Sequence, residues 1–238
     1  MKSRRLGLCA LGILLFGVGS GGPSLAAPFD ALLPRAKFRY HWPEPDAKAL
    51  AARYERRVQL LGDEMDRFSA TVGGRVNGCS RNLAEAKWAC SRSGIGARIG
   101  TTSDPAAFCE AVRREIVEKT YTGSSQYCQF ANCGEGSQVA ACLARSYGIP
   151  DAGIYVCLSL KDHAFVLLPE RADTNPAAPD ARFCLFDRWN PSRCGVKAIE
   201  RNGDVLRFEV PGKLEYADSF EQARCFDLAT YVKVDGQP

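Results

Sequence analysis

Cys133 has the residue type and the position of a catalytic nucleophile. It stands in the run Asn132-Cys133-Gly134-Glu135, directly before a segment with a helical pattern. The first backbone N–H groups of a helix have no partner within it, and together with the helix dipole they favour a thiolate, the nucleophilic form of cysteine. The same N–H groups could donate to the oxyanion of a tetrahedral intermediate, with Asn132 or Gln126 as further side-chain donors. We therefore predict nucleophilic catalysis by Cys133.

The chain contains two histidines, so a histidine-dependent mechanism has little choice of base. His41 lies in the proline-containing segment HWPEP, which favours a surface or packing role. His163 starts a segment with strand character, where a rigid backbone can hold the ring in a cleft. Asp187 ends a later strand-like segment and could fix the tautomer of the imidazole, while Trp189 could shield the pair from water. We expect Cys133, His163 and Asp187 to form a catalytic triad.

Helices that could position these residues are visible in the hydrophobic pattern. Apolar residues spaced three or four apart over residues 46–70 predict a long amphipathic helix. A second helix is predicted from Ser103-Asp104-Pro105 to residue 123, because an acidic cap and a first-turn proline precede apolar positions at helical spacing. Residues 137–147 predict a third helix whose N-terminus lies at Cys133.

Strands are predicted after this third helix. Three short runs rich in branched and aromatic residues occupy positions 153–160, 164–168 and 182–186. The proline-rich stretch between the last two runs is expected to be an exposed loop. Residues 196–210 predict a hairpin about Asn202-Gly203, a dipeptide that favours the positive φ angles of a tight turn. His163 would then start one strand, and Asp187 would end the next.

The motifs around the three residues resemble those of transglutaminase-like enzymes, a branch of the papain-fold superfamily that includes bacterial transglutaminase-like cysteine proteinases and glutamine deamidase toxins. The resemblance rests on NCGE before a helix, DHAFV on a strand and FDRW closing the next strand, within residues 120–192. It implies an α+β fold with a papain/transglutaminase-like core, in which the nucleophile-bearing helix packs on an antiparallel sheet, and a helical N-terminal part. It also implies a thiol-dependent amide hydrolase, either a cysteine protease or a glutamine deamidase or transglutaminase, that forms a thioester on Cys133.

The N-terminal segment has the pattern of a secretory signal peptide. Lys2, Arg4 and Arg5 precede a short apolar run, and small residues precede a cleavage site after Ala26. The run is shorter than the roughly 20 apolar residues that cross a bilayer. We therefore expect an exported protein, periplasmic or secreted, without stable membrane insertion after cleavage.

Composition limits the partners of the mature chain. Without residues 1–26 the chain has 28 basic and 27 acidic residues, a net charge of +1, which gives no electrostatic reason to expect a nucleic-acid partner. We expect a protein or peptide substrate instead. The remaining 212 residues fit one domain, with a helical and disulfide-rich N-terminal region at 27–119 and a catalytic core at 120–238.

Ten cysteines follow the signal segment, and export would allow them to form disulfides. Cys79 with Cys90, and Cys184 with Cys194, would each close a short loop. If Cys133 keeps its thiol, an odd number of other cysteines remains, so at least one more must be unpaired. The remaining connectivity stays open.

Three alternatives to this enzyme remain. Cys133 could pair with Cys128 or another cysteine, which would leave a disulfide-stapled secreted binding module without catalysis. The same triad could instead serve a cell-wall peptide amidase. A structural zinc site is disfavoured because the chain has no Cys-x-x-Cys pair and His163 is its one well-placed histidine. The predicted mechanism needs no metal or organic cofactor.

Overall fold

The computed structural model describes residues 40–71, 102–118, 133–161, 163–202, 205–215 and 217–235. These residues all belong to one compact unit, Arg35–Pro238. The predicted signal segment, the predicted Cys79–Cys90 disulfide, and the candidate oxyanion donors Gln126 and Asn132 lie outside the described residues.

Five α-helices occur in the described part of the chain: α1 Ala47–Leu50, α2 Tyr54–Thr71, α3 Pro105–Glu118, α4 Cys133–Ser146 and α5 Leu228–Asp235. The single helix predicted over residues 46–70 is divided into α1 and α2, because the chain turns at residues 51–53. The start predicted for α3 is confirmed, since the Asp104 carboxylate accepts from the N–H groups of Ala106 at 3.0 Å and Ala107 at 3.3 Å. The helix predicted to begin at Cys133 is also confirmed.

Six strands in the described ranges form one antiparallel sheet: β1 Tyr155–Ser159, β2 Ala164–Pro169, β3 Arg182–Phe186, β4 Arg193–Asn202, β5 Val205–Glu209 and β6 Gln222–Asp227. Each strand pairs with the next along the chain, and β6 also pairs with β1, with Tyr155 opposite Asp227 and Ser159 opposite Ala223. The sheet is therefore a closed barrel.

The α+β fold with a papain/transglutaminase-like core, implied by the family resemblance, is wrong. The described residues instead form a closed six-stranded barrel with a few helices outside it. The difference arises at β6, which no sequence pattern predicted. It bonds to both β5 and β1, so it leaves neither of those strands with an unpaired edge.

Strand residues alternate between two apolar cores. Phe165, Leu167 and Leu185 belong to the cluster inside the barrel. Their chain neighbours Val166 and Phe186 point outward and join a second cluster that includes buried residues of α2, α3, α4 and α5. Because both of its faces are covered, β2 is buried along its whole length. This packing fixes α4 against the barrel wall beside β2.

Among the described residues, three disulfides connect neighbouring elements: Cys109–Cys142 joins α3 to α4, Cys157–Cys225 joins β1 to β6, and Cys184–Cys194 joins β3 to β4. The predicted pairing of Cys184 with Cys194 is confirmed. Cys133 takes part in none of the three and retains its thiol. None of the helices in the described ranges combines the length and apolar composition needed to cross a membrane.

Candidate functional site

The three candidate catalytic residues meet at one end of the barrel. His163 lies immediately before β2, and Asp187 immediately after β3. These strands are antiparallel neighbours, with Val166 opposite Phe186, so the start of β2 and the end of β3 lie at the same end of the sheet. Cys133 is the first residue of α4, which packs beside β2. The fold thus brings together the three side chains singled out from the sequence.

His163 is the central member of this group. Its Nε2 lies 2.9 Å from Asp187 Oδ1, and its side chain also forms a hydrogen bond with Cys133. Because Nε2 faces the Asp187 carboxylate, Nδ1 is the ring nitrogen that can form the hydrogen bond with the Cys133 thiol. The side chains of His163 and Asp187 are 7% and 0% exposed, so this pair is almost closed to solvent, whereas Cys133 is partly exposed.

The surroundings of His163 favour a charged imidazole. Burial alone would lower the pKa of His163, because it removes water from the charged ring. The hydrogen bonds with Asp187 and Cys133, together with the negative charges of these groups, outweigh burial and raise the pKa of His163 to about 9. At neutral pH the ring is therefore an imidazolium, the form that stabilises a thiolate and can protonate a leaving amine.

Aromatic rings surround the imidazole. Phe220 meets it edge-on with a centroid distance of 4.9 Å, Phe165 stacks at 6.2 Å, and Trp189 approaches edge-on at 6.5 Å. These contacts limit rotation of the His163 ring and keep water away from the pair it forms with Asp187. Phe220 was not found by sequence reasoning, because its 3-10 turn at Ala217–Phe220 has no periodic pattern and lies far along the chain.

Asn190 completes the environment of Asp187. Its Nδ2 donates to Asp187 Oδ2 at 2.6 Å, while its Oδ1 accepts from the backbone N–H of Glu215 at 2.8 Å. The residue is 5% exposed. Sequence reasoning missed this contact, and the available signal was the position of an asparagine before Pro191, in a turn that follows the candidate aspartate.

Gly136 allows α4 to lie close to the turn that follows Asp187. A Cβ atom at this position would be 2.6 Å from Arg188 Cβ, so a larger residue would push the two segments apart. Arg188 also binds α2, because its Nη1 donates to the Ser69 carbonyl at 3.0 Å and its guanidinium lies over the Phe68 ring at 5.7 Å. This packing holds α2, α4 and the turn after β3 in a fixed relation.

A cleft with a volume of about 400 Å³ adjoins the site. That size falls in the range of pockets that bind small molecules or side chains. Trp189, which approaches His163 edge-on, and Asn190, which bonds to Asp187, both contribute to the cleft, whereas Cys133, His163 and Asp187 are not among its lining residues. The residues that line it come from α2 and from the turn after β3: Asp66, Ser69, Ala70, Arg188, Trp189, Asn190 and Pro191.

Metal-ligating groups do not cluster here. Within the described ranges, no group of three or more His, Cys, Asp or Glu side chains is arranged to hold a metal ion. No protein-family model, curated protein or solved structure significantly matches the chain. The resemblance to transglutaminase-like enzymes therefore remains a prediction.

Proposed function

We propose that this protein is an exported, thiol-dependent hydrolase of amide bonds in proteins or peptides. The observation that carries the proposal is the position of buried His163, which bonds to buried Asp187 and to the partly exposed Cys133. A buried histidine that bonds only to a carboxylate could have a purely structural role. A thiol at a helix start on its other side adds the group that a nucleophilic mechanism requires.

The reaction begins with attack of Cys133 Sγ on the carbonyl carbon of the scissile amide. Backbone N–H groups in the first turn of α4 donate to the oxyanion, because the first four N–H groups of a helix have no partner within it. His163 transfers its proton to the leaving nitrogen, the C–N bond breaks, and an acyl thioester remains on Cys133. Asp187 keeps the imidazole in position through both steps.

Water completes the reaction. It attacks the thioester carbonyl while the neutral His163 accepts one of its protons. The C–S bond then breaks, the carboxylic acid leaves, and the thiolate–imidazolium pair of Cys133 and His163 is regenerated. Hydrolysis of a main-chain amide makes the enzyme a protease, and hydrolysis of a glutamine side chain makes it a deamidase. An amine that replaced water would give crosslinking, and a cell-wall peptide would be attacked by the same steps.

Two features support export. The described residues contain three disulfides, which form and persist in oxidising compartments. The basic and then apolar start of the chain is typical of a secretory signal peptide. Export to the periplasm or to the exterior would explain both.

Thiol labelling tests the nucleophile. The folded chain is treated with iodoacetamide over a range of pH, and the modified peptides are identified by mass mapping. We expect Cys133 to react selectively, because the six other cysteines among the described residues are joined in disulfides and the charged His163 bonds to its side chain. A Cys133 that maps to a disulfide in the native protein would instead favour a stapled binding module.

Turnover of a panel of peptide amides tests the base. His163→Gln should lower kcat/KM by about 10²- to 10⁴-fold, the usual contribution of a general acid–base group. His41→Gln is the matched control, because His41 is the only other histidine in the chain and is exposed. Cys133→Ala should abolish turnover. The mechanism would be refuted if Cys133→Ala retained full activity, or if both histidine variants lost activity equally.

A further inference from the structure

We propose that Asn190 is a positioning residue that acts on catalysis through Asp187, by holding the carboxylate in the orientation that faces His163. The inference rests on the proposed function of the site formed by Cys133, His163 and Asp187. Asn190 becomes a fourth member of this site. In the proposed mechanism its side chain touches neither the imidazole nor the thiol.

Both oxygens of the Asp187 carboxylate are engaged. Oδ1 faces His163 Nε2 at 2.9 Å, and Oδ2 accepts from Asn190 Nδ2 at 2.6 Å. A carboxylate held at one oxygen alone could rotate about its χ2 torsion, which has a broad energy well. The second hydrogen bond fixes the plane of the carboxylate, so Oδ1 stays directed at the imidazole.

The orientation of the Asn190 amide is set by the main chain. Its Oδ1 accepts from the N–H of Glu215 at 2.8 Å, a contact that only the oxygen of the amide can make. Its Nδ2 must then face Asp187, and it also lies 3.4 Å from the Glu215 carbonyl. The segment before Glu215 is in turn held by Arg193, whose Nη1 donates to the carbonyls of Pro211 at 3.1 Å and Lys213 at 3.3 Å.

An amide suits this position because it donates a hydrogen bond without adding a charge. His163 at the start of β2 bonds directly to Asp187, Cys133 of α4 bonds to the same imidazole, and Arg188 follows Asp187 in the chain. Arg188 directs its Nη1 to the Ser69 carbonyl at 3.0 Å. The neutral amide therefore stabilises the carboxylate without adding a charge at Oδ2.

The first test compares Asn190→Asp and Asn190→Ala with the wild-type chain. Asn190→Asp keeps an oxygen for the Glu215 N–H but replaces the donor to Asp187 with an acceptor. At neutral pH we expect kcat to fall about 10- to 100-fold in either variant, the effect of losing one hydrogen bond to a charged group. Ser192→Ala is the control, because Ser192 lies in the same turn and bonds to Asp66 and Gly62.

The pH dependence separates a positioning role from a purely structural one. Two carboxyls in contact share a proton as the pH falls, which restores a donor between them. The activity of Asn190→Asp relative to wild type should therefore rise toward acidic pH, whereas Ser192→Ala should show a constant ratio. A constant ratio for Asn190→Asp, or full activity of Asn190→Ala, would overturn the proposal.

A second readout needs no substrate. In the Cys133→Ala protein the pKa of His163 can be followed by NMR, because His41 is the only other histidine and can be assigned by substitution. Adding Asn190→Ala should lower the pKa of His163, since a rotating carboxylate makes a weaker bond to Nε2. If Asn190→Ala lowers this pKa but the wild-type chain hydrolyses no peptide amide, the proposed function is refuted and the positioning contact stands. An unchanged pKa in a chain with thiol-dependent turnover would refute the positioning role alone.

Discussion

The charge on His163 couples the stability of the folded chain to pH. A histidine in an unfolded chain titrates near 6.5, whereas the pKa of His163 in the folded site is about 9. Because the folded state binds this proton more tightly, the stabilisation is fully present below about pH 6.5 and is lost as the pH rises through about 9. The difference between the two values corresponds to about 3 kcal/mol of unfolding free energy. The side chain is 7% exposed, so solvent screens little of this effect.

Urea denaturation of wild type and His163→Gln at several pH values measures this coupling. Most other titratable groups contribute similarly to both proteins, so the difference in unfolding free energy isolates His163 and the groups bonded to it. We expect this difference to change by about 3 kcal/mol in favour of the variant between about pH 6 and about pH 9.5. In a Cys133→Ala background the change should be smaller, because one of the two hydrogen bonds that raise the pKa of His163 is gone.

A difference that stays constant with pH would refute this reasoning, because it would mean that His163 titrates alike in the folded and unfolded chains. A change of the opposite sign would show that burial outweighs the two hydrogen bonds and that the folded site holds a neutral imidazole. If the difference in unfolding free energy changed equally with pH in the wild-type and Cys133→Ala backgrounds, the hydrogen bond with the thiol would not be a cause of the raised pKa of His163.

Two substitutions probe the site further. Asp187→Asn should lower kcat by up to about 10⁴-fold in a peptide-amide assay, because the new amide would donate to Nε2 of His163 and impose the wrong tautomer; wild-type kcat in this variant would contradict the assigned role. Gly136→Ala should destabilise the fold by about 1–3 kcal/mol in urea denaturation, since its Cβ would lie 2.6 Å from Arg188 Cβ. Gly134→Ala is the matched control, because a Cβ there comes within 4 Å of no atom from other parts of the described chain. Equal destabilisation by the two alanines would exclude close packing at Gly136 as the cause.

Local patterns were sufficient to predict most of the secondary structure. The cap and first-turn proline of α3, and the alternating or continuous apolar runs of β1, β2 and β3, depend on residues near one another in sequence. The hairpin of β4 and β5 was predicted for the same reason, and its two strands are confirmed. The turn residues Gly203 and Asp204 lie outside the described residues.

β6 and the closure of the barrel could not be predicted in this way. β6 has the sequence QARCFD, which is short and carries charged residues on a partly buried strand. Its partner β1 lies far away in the chain, with Cys157 opposite Cys225. The motifs behind the family resemblance end at residue 192, so they carry no information on how the last strand pairs. An open sheet and a closed barrel share the same local patterns.

The sequence by itself determined which chemical groups are available: one cysteine at the start of a helix, two histidines in the whole chain, and an aspartate at the end of a strand. These features are local, and helix starts and strand ends depend on short-range backbone preferences. Only the tertiary structure decided that His163 bonds to both Asp187 and Cys133, that Phe220 and Asn190 enclose them, and that the pKa of His163 rises to about 9. Desolvation and hydrogen bonding depend on distances between segments far apart in the chain, and those distances exist only once the barrel has closed and α4 has packed against it.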